Sequence, residues 1–108
     1  MVDEWFTAAD ESDLEINDVR RCDVGGATYA VVKTGDGRCV VIDGLCTHGK
    51  AQLADGFVDG DIVECPKHNG RFNVITGAAV ATPARVALRV HETRVRDGIV
   101  EFRVASGN

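Results

Sequence analysis

No run in this 108-residue chain approaches the roughly 18 consecutive apolar residues that a membrane-crossing helix needs. Residues 1–9 have neither a basic start nor an apolar stretch of secretory-leader length, so a soluble cytoplasmic protein without a membrane partner is expected. A glycine-rich dinucleotide fingerprint is missing too, which argues against a flavin- or nicotinamide-binding unit. The chain shows no internal repeat, low-complexity tract or linker, and its length leaves no room for a substrate domain beside a first one. With 44% hydrophobic residues it suits one modest core, and residues 1–108 are expected to form a single domain. Bases are absent from residues 1–18, which hold seven acids, and the net charge is −5. Nucleic-acid binders carry basic stripes, so that class is disfavoured. The acids read instead as a solvated face that keeps a small domain, expected to be a monomer, in solution.

Turn signals are plentiful. Gly25-Gly26, Gly35-Asp36-Gly37, Asp43-Gly44, Asp55-Gly56, Asp59-Gly60 and Asp97-Gly98 separate β-rich runs at 19–24, 28–34, 38–42, 62–64, 87–96 and 99–104. An all-β fold follows. Asp97-Gly98 is the strongest hairpin signal, and beyond it Val100, Phe102 and Val104 share one face while Glu101 and Arg103 share the other. Only residues 8–14, acidic and long enough for one turn, suggest a short helix.

The chemistry is concentrated in Cys46-Thr47-His48 and Cys65-Pro66-Lys67-His68, with sixteen residues between His48 and Cys65. A one-residue spacer in extended chain puts Cys46 and His48 on the same side, and the tighter turn needed by Cys65 and His68 is one that Pro66 helps to set. Each run can then offer one sulfur and one nitrogen. Two thiolates and two imidazoles suit a [2Fe–2S] centre in which two histidines replace two cysteines on one iron. A structural zinc ion also takes two Cys and two His. Zinc modules, however, usually pair like with like, as Cys-x₂₋₄-Cys and His-x₃₋₅-His, whereas each run here alternates Cys then His.

The surroundings extend the pattern. Leu45-Cys46-Thr47-His48-Gly49, Leu53-Ala54-Asp55-Gly56, Glu64-Cys65-Pro66-Lys67-His68-Asn69-Gly70-Arg71-Phe72 and Thr76-Gly77 resemble the Rieske ferredoxins of multicomponent aromatic-ring-hydroxylating dioxygenases, over nearly the whole chain. The resemblance implies a Rieske fold: an antiparallel, sandwich- or barrel-like base with a cluster-binding subdomain at about 45–83 inserted between its strands. It implies one [2Fe–2S] cluster per chain, with Cys46 and Cys65 on the inner iron and His48 and His68 on the outer one. Gly49, Gly70 and Gly77 would let backbone approach the cluster, and Pro83 would lie in a third loop that covers it. The implied role is that of a one-electron shuttle, not catalytic alone. It would run from an NAD(P)H-dependent flavoprotein ferredoxin reductase to a Rieske non-haem iron terminal oxygenase, both docking transiently at the His48/His68 edge.

Where the quinol-oxidising relatives of this family carry a loop-linking disulfide and two hydroxyls near the sulfurs, this chain has Ala51, Lys67, Gly70 and Phe72. Fewer hydrogen bonds to sulfur place its potential near the low end of the roughly −150 to +300 mV Rieske range. Two further readings stay open: from a different class, a binding or regulatory module using the cluster or a zinc ion only as a staple, and, within electron transfer, a small Rieske-like subunit or partner of another oxidoreductase such as a nitrite reductase. Cys22 and Cys39 read as buried free thiols. His91, in a strand pattern with the charged Glu92 and Arg94 and far in sequence from both ligand runs, is expected to be partly exposed and outside the ligand set. Trp5, Phe6, Tyr29, Phe57 and Phe102 are expected in the core.

Overall fold

The computed structural model describes residues 4–47, 51–67, 69–82 and 84–104. Ten strands follow one another: β1 (Phe6–Asp10), β2 (Asp18–Val24), β3 (Ala27–Lys33), β4 (Cys39–Asp43), β5 (Phe57–Asp59), β6 (Ile62–Glu64), β7 (Arg71–Asn73), β8 (Ala79–Ala81), β9 (Val90–Arg96) and β10 (Ile99–Arg103). They pair antiparallel into a six-stranded sheet, β1-β10-β9-β4-β3-β2, and a four-stranded sheet, β5-β6-β7-β8. The smaller sheet lies wholly between β4 and β9 in the chain, and those two strands meet through Val41 opposite His91 and Ile42 opposite Val90. Among the described residues no helix is long and apolar enough to cross a membrane.

Local chemistry sets the turns. Asp97 (φ 53°) and Gly98 (φ 78°) both take left-handed backbone, as a two-residue hairpin matched to strand twist requires, and Gly25 and Gly26 do the same between β2 and β3. The acidic segment at 8–14 is mostly not helical. Residues 8–10 belong to β1, paired with β10, and only Glu11–Asp13 form a 3-10 turn. Pairing in the sheet satisfies the backbone of 8–10 in a way one isolated helical turn does not.

Side-chain period explains how one strand serves two cores. In β3, Tyr29 and Val31 face a cluster with Leu14, Cys22, Val41, Val100 and Phe102, while Ala30 and Val32 face a second cluster between the sheets. Both faces are buried, so the run reads as continuously apolar. The first cluster fills the concave side of the six-stranded sheet. The sheet's edges approach each other there, the Cys22 thiol donating to the Thr7 carbonyl at 3.7 Å. The second cluster joins Val40 and Ile42 to Leu53, Val63, Phe72, Val74, Ala84 and Leu88, and it contains both Cys46 and Cys65. Fully burying a side chain the size of Leu53 or Phe72 contributes about 1.5–3 kcal/mol. Packing of this layer therefore holds the smaller sheet on the base.

Phe57 departs from expectation: it is 70% exposed. It sits on the edge strand β5, on the face turned away from the core, so its apolar character did not foretell burial. Trp5 is half-buried, with the Arg94 guanidinium 3.8 Å above its ring. Tyr29 and Phe102 are core residues, and Phe6 packs at the core's margin.

Candidate metal centre

Two hairpins of the same construction present the cysteines. Cys46 donates its backbone N–H to the Ala51 carbonyl at 2.8 Å, and Cys65 donates to the Gly70 carbonyl at 2.7 Å, so each cysteine closes a loop five residues on. Leu45 bridges Gln52 beneath the first loop, and β6 and β7 continue the second through Glu64 opposite Arg71. The Arg71 guanidinium bonds the Glu64 carboxylate at 2.9 Å across that pair. Asn69 takes left-handed backbone (φ 60°), a conformation Asn tolerates better than most residues, and so tightens the second loop.

Both thiols are buried in one core cluster and free of disulfides. Burial pushes the Cys65 pKa up. The backbone N–H of Lys67 and its ammonium act against that rise, and the neighbouring Cys46 thiol adds to it. Two buried soft donors in one core cluster fit a thiolate-bound metal. His48, His68, Gly49, Lys50 and Pro83 lie outside the described residues, so no structural statement is made of them. Among the described residues no group of three or more metal-binding side chains forms.

A third segment, residues 84–89, lies against both hairpins. A Cβ on Gly70 would stand 3.0 Å from the Ala84 Cβ, and the Thr47 hydroxyl donates to the Val86 carbonyl at 2.6 Å. Gly77 (φ 82°) carries Leu88 on top of it: the Leu88 N–H donates to the Gly77 carbonyl at 2.8 Å, and a Cβ there would fall 2.2 Å from the Leu88 oxygen. Gly70 and Gly77 are thus required at least by the approach of this segment. Gly56 and Gly44, read from sequence as turn residues, are also close-approach positions. A Cβ on Gly56 would meet the Glu64 carbonyl at 2.0 Å, and one on Gly44 the Thr28–Tyr29 backbone at 2.9 Å.

His91 is not a partly exposed strand residue. It is 2% exposed, packs edge-on to Tyr29, and holds the Asp43 carboxylate at 2.9 Å through Nε2. The β pattern hid this because burial comes from β3 and β10 folding over it. Burial alone would raise the Asp43 pKa, but hydrogen bonds from His91 and Arg89, with the Arg89 charge, hold it below the ordinary value. Asp43 and Arg89 also line an open groove of about 540 Å³ beside Leu45 and Gln52, at the root of the first hairpin.

Two cysteine-bearing hairpins, the second continuous with a small sheet that lies between base strands β4 and β9, are the arrangement expected of an iron–sulfur protein of the Rieske class. The family model of the Rieske [2Fe-2S] domain matches residues 4–92, and the chain belongs to that family. A [2Fe–2S] cluster is the family's group. Ferredoxin CarAc of Metapseudomonas resinovorans is 41% identical over 97 residues, covering 89% of this chain and 90% of its own. The ferredoxin of Sphingomonas yanoikuyae B1 superposes with a TM-score of 0.87 at 32% identity, over 94% of this chain and 100% of that one. The solved complex of reduced oxygenase and oxidized ferredoxin in carbazole 1,9a-dioxygenase contains a chain matching at TM-score 0.84 and 40% identity, over 91% of both.

Proposed function

We propose that this chain is the one-electron carrier of an aromatic-ring-hydroxylating dioxygenase system, with the cluster held by Cys46, Cys65, His48 and His68 in a subdomain of about 45–83. When bound, the cluster supplies one reversible electron and no open position for substrate or oxygen. The protein's own part is to bring two thiolates into a buried site and to keep water from them. Leu53, Val63 and Phe72 supply the apolar wall, and the two matched hairpins fix where the sulfurs stand. The exposed tip, with Thr47, Pro66, Lys67 and Asn69, offers a small docking rim of the size weak redox encounters use.

The observation that carries this reading is the similar chain found in complex with an oxygenase. By analogy the electron goes to a Rieske non-haem iron terminal oxygenase. It comes from an NAD(P)H-dependent flavoprotein reductase, both in the cytoplasm, and each partner uses the His48/His68 edge in turn. Anaerobic stopped-flow tests it with the reductase and the terminal oxygenase of a carbazole-type dioxygenase. The cluster absorbance should bleach with reductase and NADH, then return when oxidised oxygenase is added. Bleaching without return in the presence of oxygenase would overturn the assignment.

A further inference from the structure

We propose that Asp43 is a positioning residue that fixes the geometry of both cysteine hairpins through residues 84–89; this rests on the electron-carrier reading above. Asp43 ends β4, three residues before Cys46. Its Oδ1 accepts from His91 Nε2 at 2.9 Å, and its Oδ2 accepts from Arg89 Nε at 3.0 Å and from the Arg89 backbone N–H at 3.3 Å. The Asp43 backbone N–H returns a bond to the Arg89 carbonyl at 3.1 Å. One short stretch of chain is thus bonded through side chain and backbone to the residue that opens the first hairpin.

From that anchor, residues 84–89 reach both cysteine hairpins and Gly77. Leu88 sits on Gly77, Val86 accepts from Thr47 in the first hairpin, and Ala84 seats against Gly70, which closes the second. Outside β9 the segment has no ladder of its own, so its position depends on these contacts together with the burial of Ala84 and Leu88 in the core. The anchor is firm because His91 is itself enclosed by Tyr29 and Phe102 and cannot swing away. A carboxylate accepting from an imidazole and a guanidinium forms charge-assisted bonds, stronger than neutral ones. Loosening the anchor lets residues 84–89 rise from both hairpins at once, admitting water and small reagents to the sulfurs.

The test uses the cluster-loaded protein and three variants. Asp43→Ala removes every acceptor, Asp43→Asn keeps an amide oxygen for Arg89, and Arg89→Ala cuts one arm at an exposed side chain that folding tolerates. Arg94→Ala, in the Arg94–Glu101 pair under Trp5, is a reference for destabilisation of the base alone. Each is held equally far below its own Tm. Chelator-driven iron release, amide exchange of residues 84–89 and the electron paramagnetic resonance line shape of the reduced cluster are then read. Asp43→Ala should release iron at least fivefold faster, exchange the Leu88 and Arg89 amides at least tenfold faster, and change the line shape. Arg89→Ala should shift release and exchange in the same sense by at least twofold, Asp43→Asn should fall between wild type and Asp43→Ala, and Arg94→Ala should match wild type. If Asp43→Ala does not assemble a cluster, Arg89→Ala decides. Wild-type release, exchange and line shape in the deciding variant overturn the proposal, while a wild-type cluster that passes no electron to oxygenase overturns the carrier reading instead.

Discussion

Phe72→Tyr probes why this centre should sit low in the Rieske range. Phe72 is fully buried on β7, opposite Val63, in the same core cluster as Cys46 and Cys65. The substitution adds one oxygen to a ring of nearly unchanged shape, and that oxygen cannot stay unbonded without cost. If it reaches a sulfur, a hydrogen bond worth roughly 1.5–3 kcal/mol more in the reduced state raises the potential by about 65–130 mV. If it finds no acceptor, a buried unsatisfied hydroxyl lowers stability by about 1–3 kcal/mol, or roughly 4–8 °C in Tm per kcal/mol for a domain of this size. Protein-film voltammetry and thermal melts on one preparation separate the branches. The expected result is a higher potential with Tm little changed. An unchanged potential with an intact cluster spectrum would refute the hydroxyl argument and leave charge and solvent exposure as the source of the low value.

Gly77→Ala should cost about 2–5 kcal/mol, from left-handed strain together with collision on the Leu88 carbonyl. Gly25→Ala, with open space around it, should cost only about 1 kcal/mol; urea denaturation giving equal losses would contradict the close approach. Lys67→Glu, at an exposed tip, should slow association with the oxygenase and alter its ionic-strength dependence while leaving the potential nearly unmoved, and stopped-flow rates flat across a salt series would remove Lys67 from the interface. The Asp43 carboxyl is held below its ordinary 3.8, so it contributes stability above that value which is lost as pH falls below 3.8 through the folded pKa. Wild type should therefore lose stability over that acid window more steeply than Asp43→Asn, and parallel pH–stability curves would contradict the anchored carboxylate.

The sequence carried the hairpin chemistry well because those signals are local. Asp97-Gly98 and Gly25-Gly26 demand positive φ wherever they lie, and the alternation of Val100, Phe102 and Val104 against Glu101 and Arg103 is read straight from period two. The matched closure of Cys46 on Ala51 and Cys65 on Gly70 was half visible, as two Cys/His runs without the bonds that equate them. What stayed hidden depends on distant chain. His91 looks like an ordinary strand residue until Tyr29 and Phe102 enclose it. Phe57 looks like core until β5 proves to be an edge strand with that side chain turned outward. Residues 87–89 pass for the start of β9, yet the Leu88 N–H bonds the Gly77 carbonyl and the Arg89 N–H the Asp43 carboxylate, so they belong to a brace beside the hairpins and the strand begins only at Val90. Gly44 and Gly56 follow aspartates and so resemble turns, although what requires glycine there is backbone from β3 and β6 passing within contact.

The central claim is a [2Fe–2S] centre with Cys46 and Cys65 as sulfur ligands and His48 and His68 as nitrogen ligands. Pulsed electron paramagnetic resonance of the dithionite-reduced protein, grown with ¹⁵N-histidine, addresses it most directly. The account predicts a paramagnetic species accounting for one electron per chain, with hyperfine coupling to two histidine nitrogens, both lost in the double variant His48→Ser, His68→Ser. A metal-loaded protein that is silent after reduction, or a signal without histidine coupling, would contradict it.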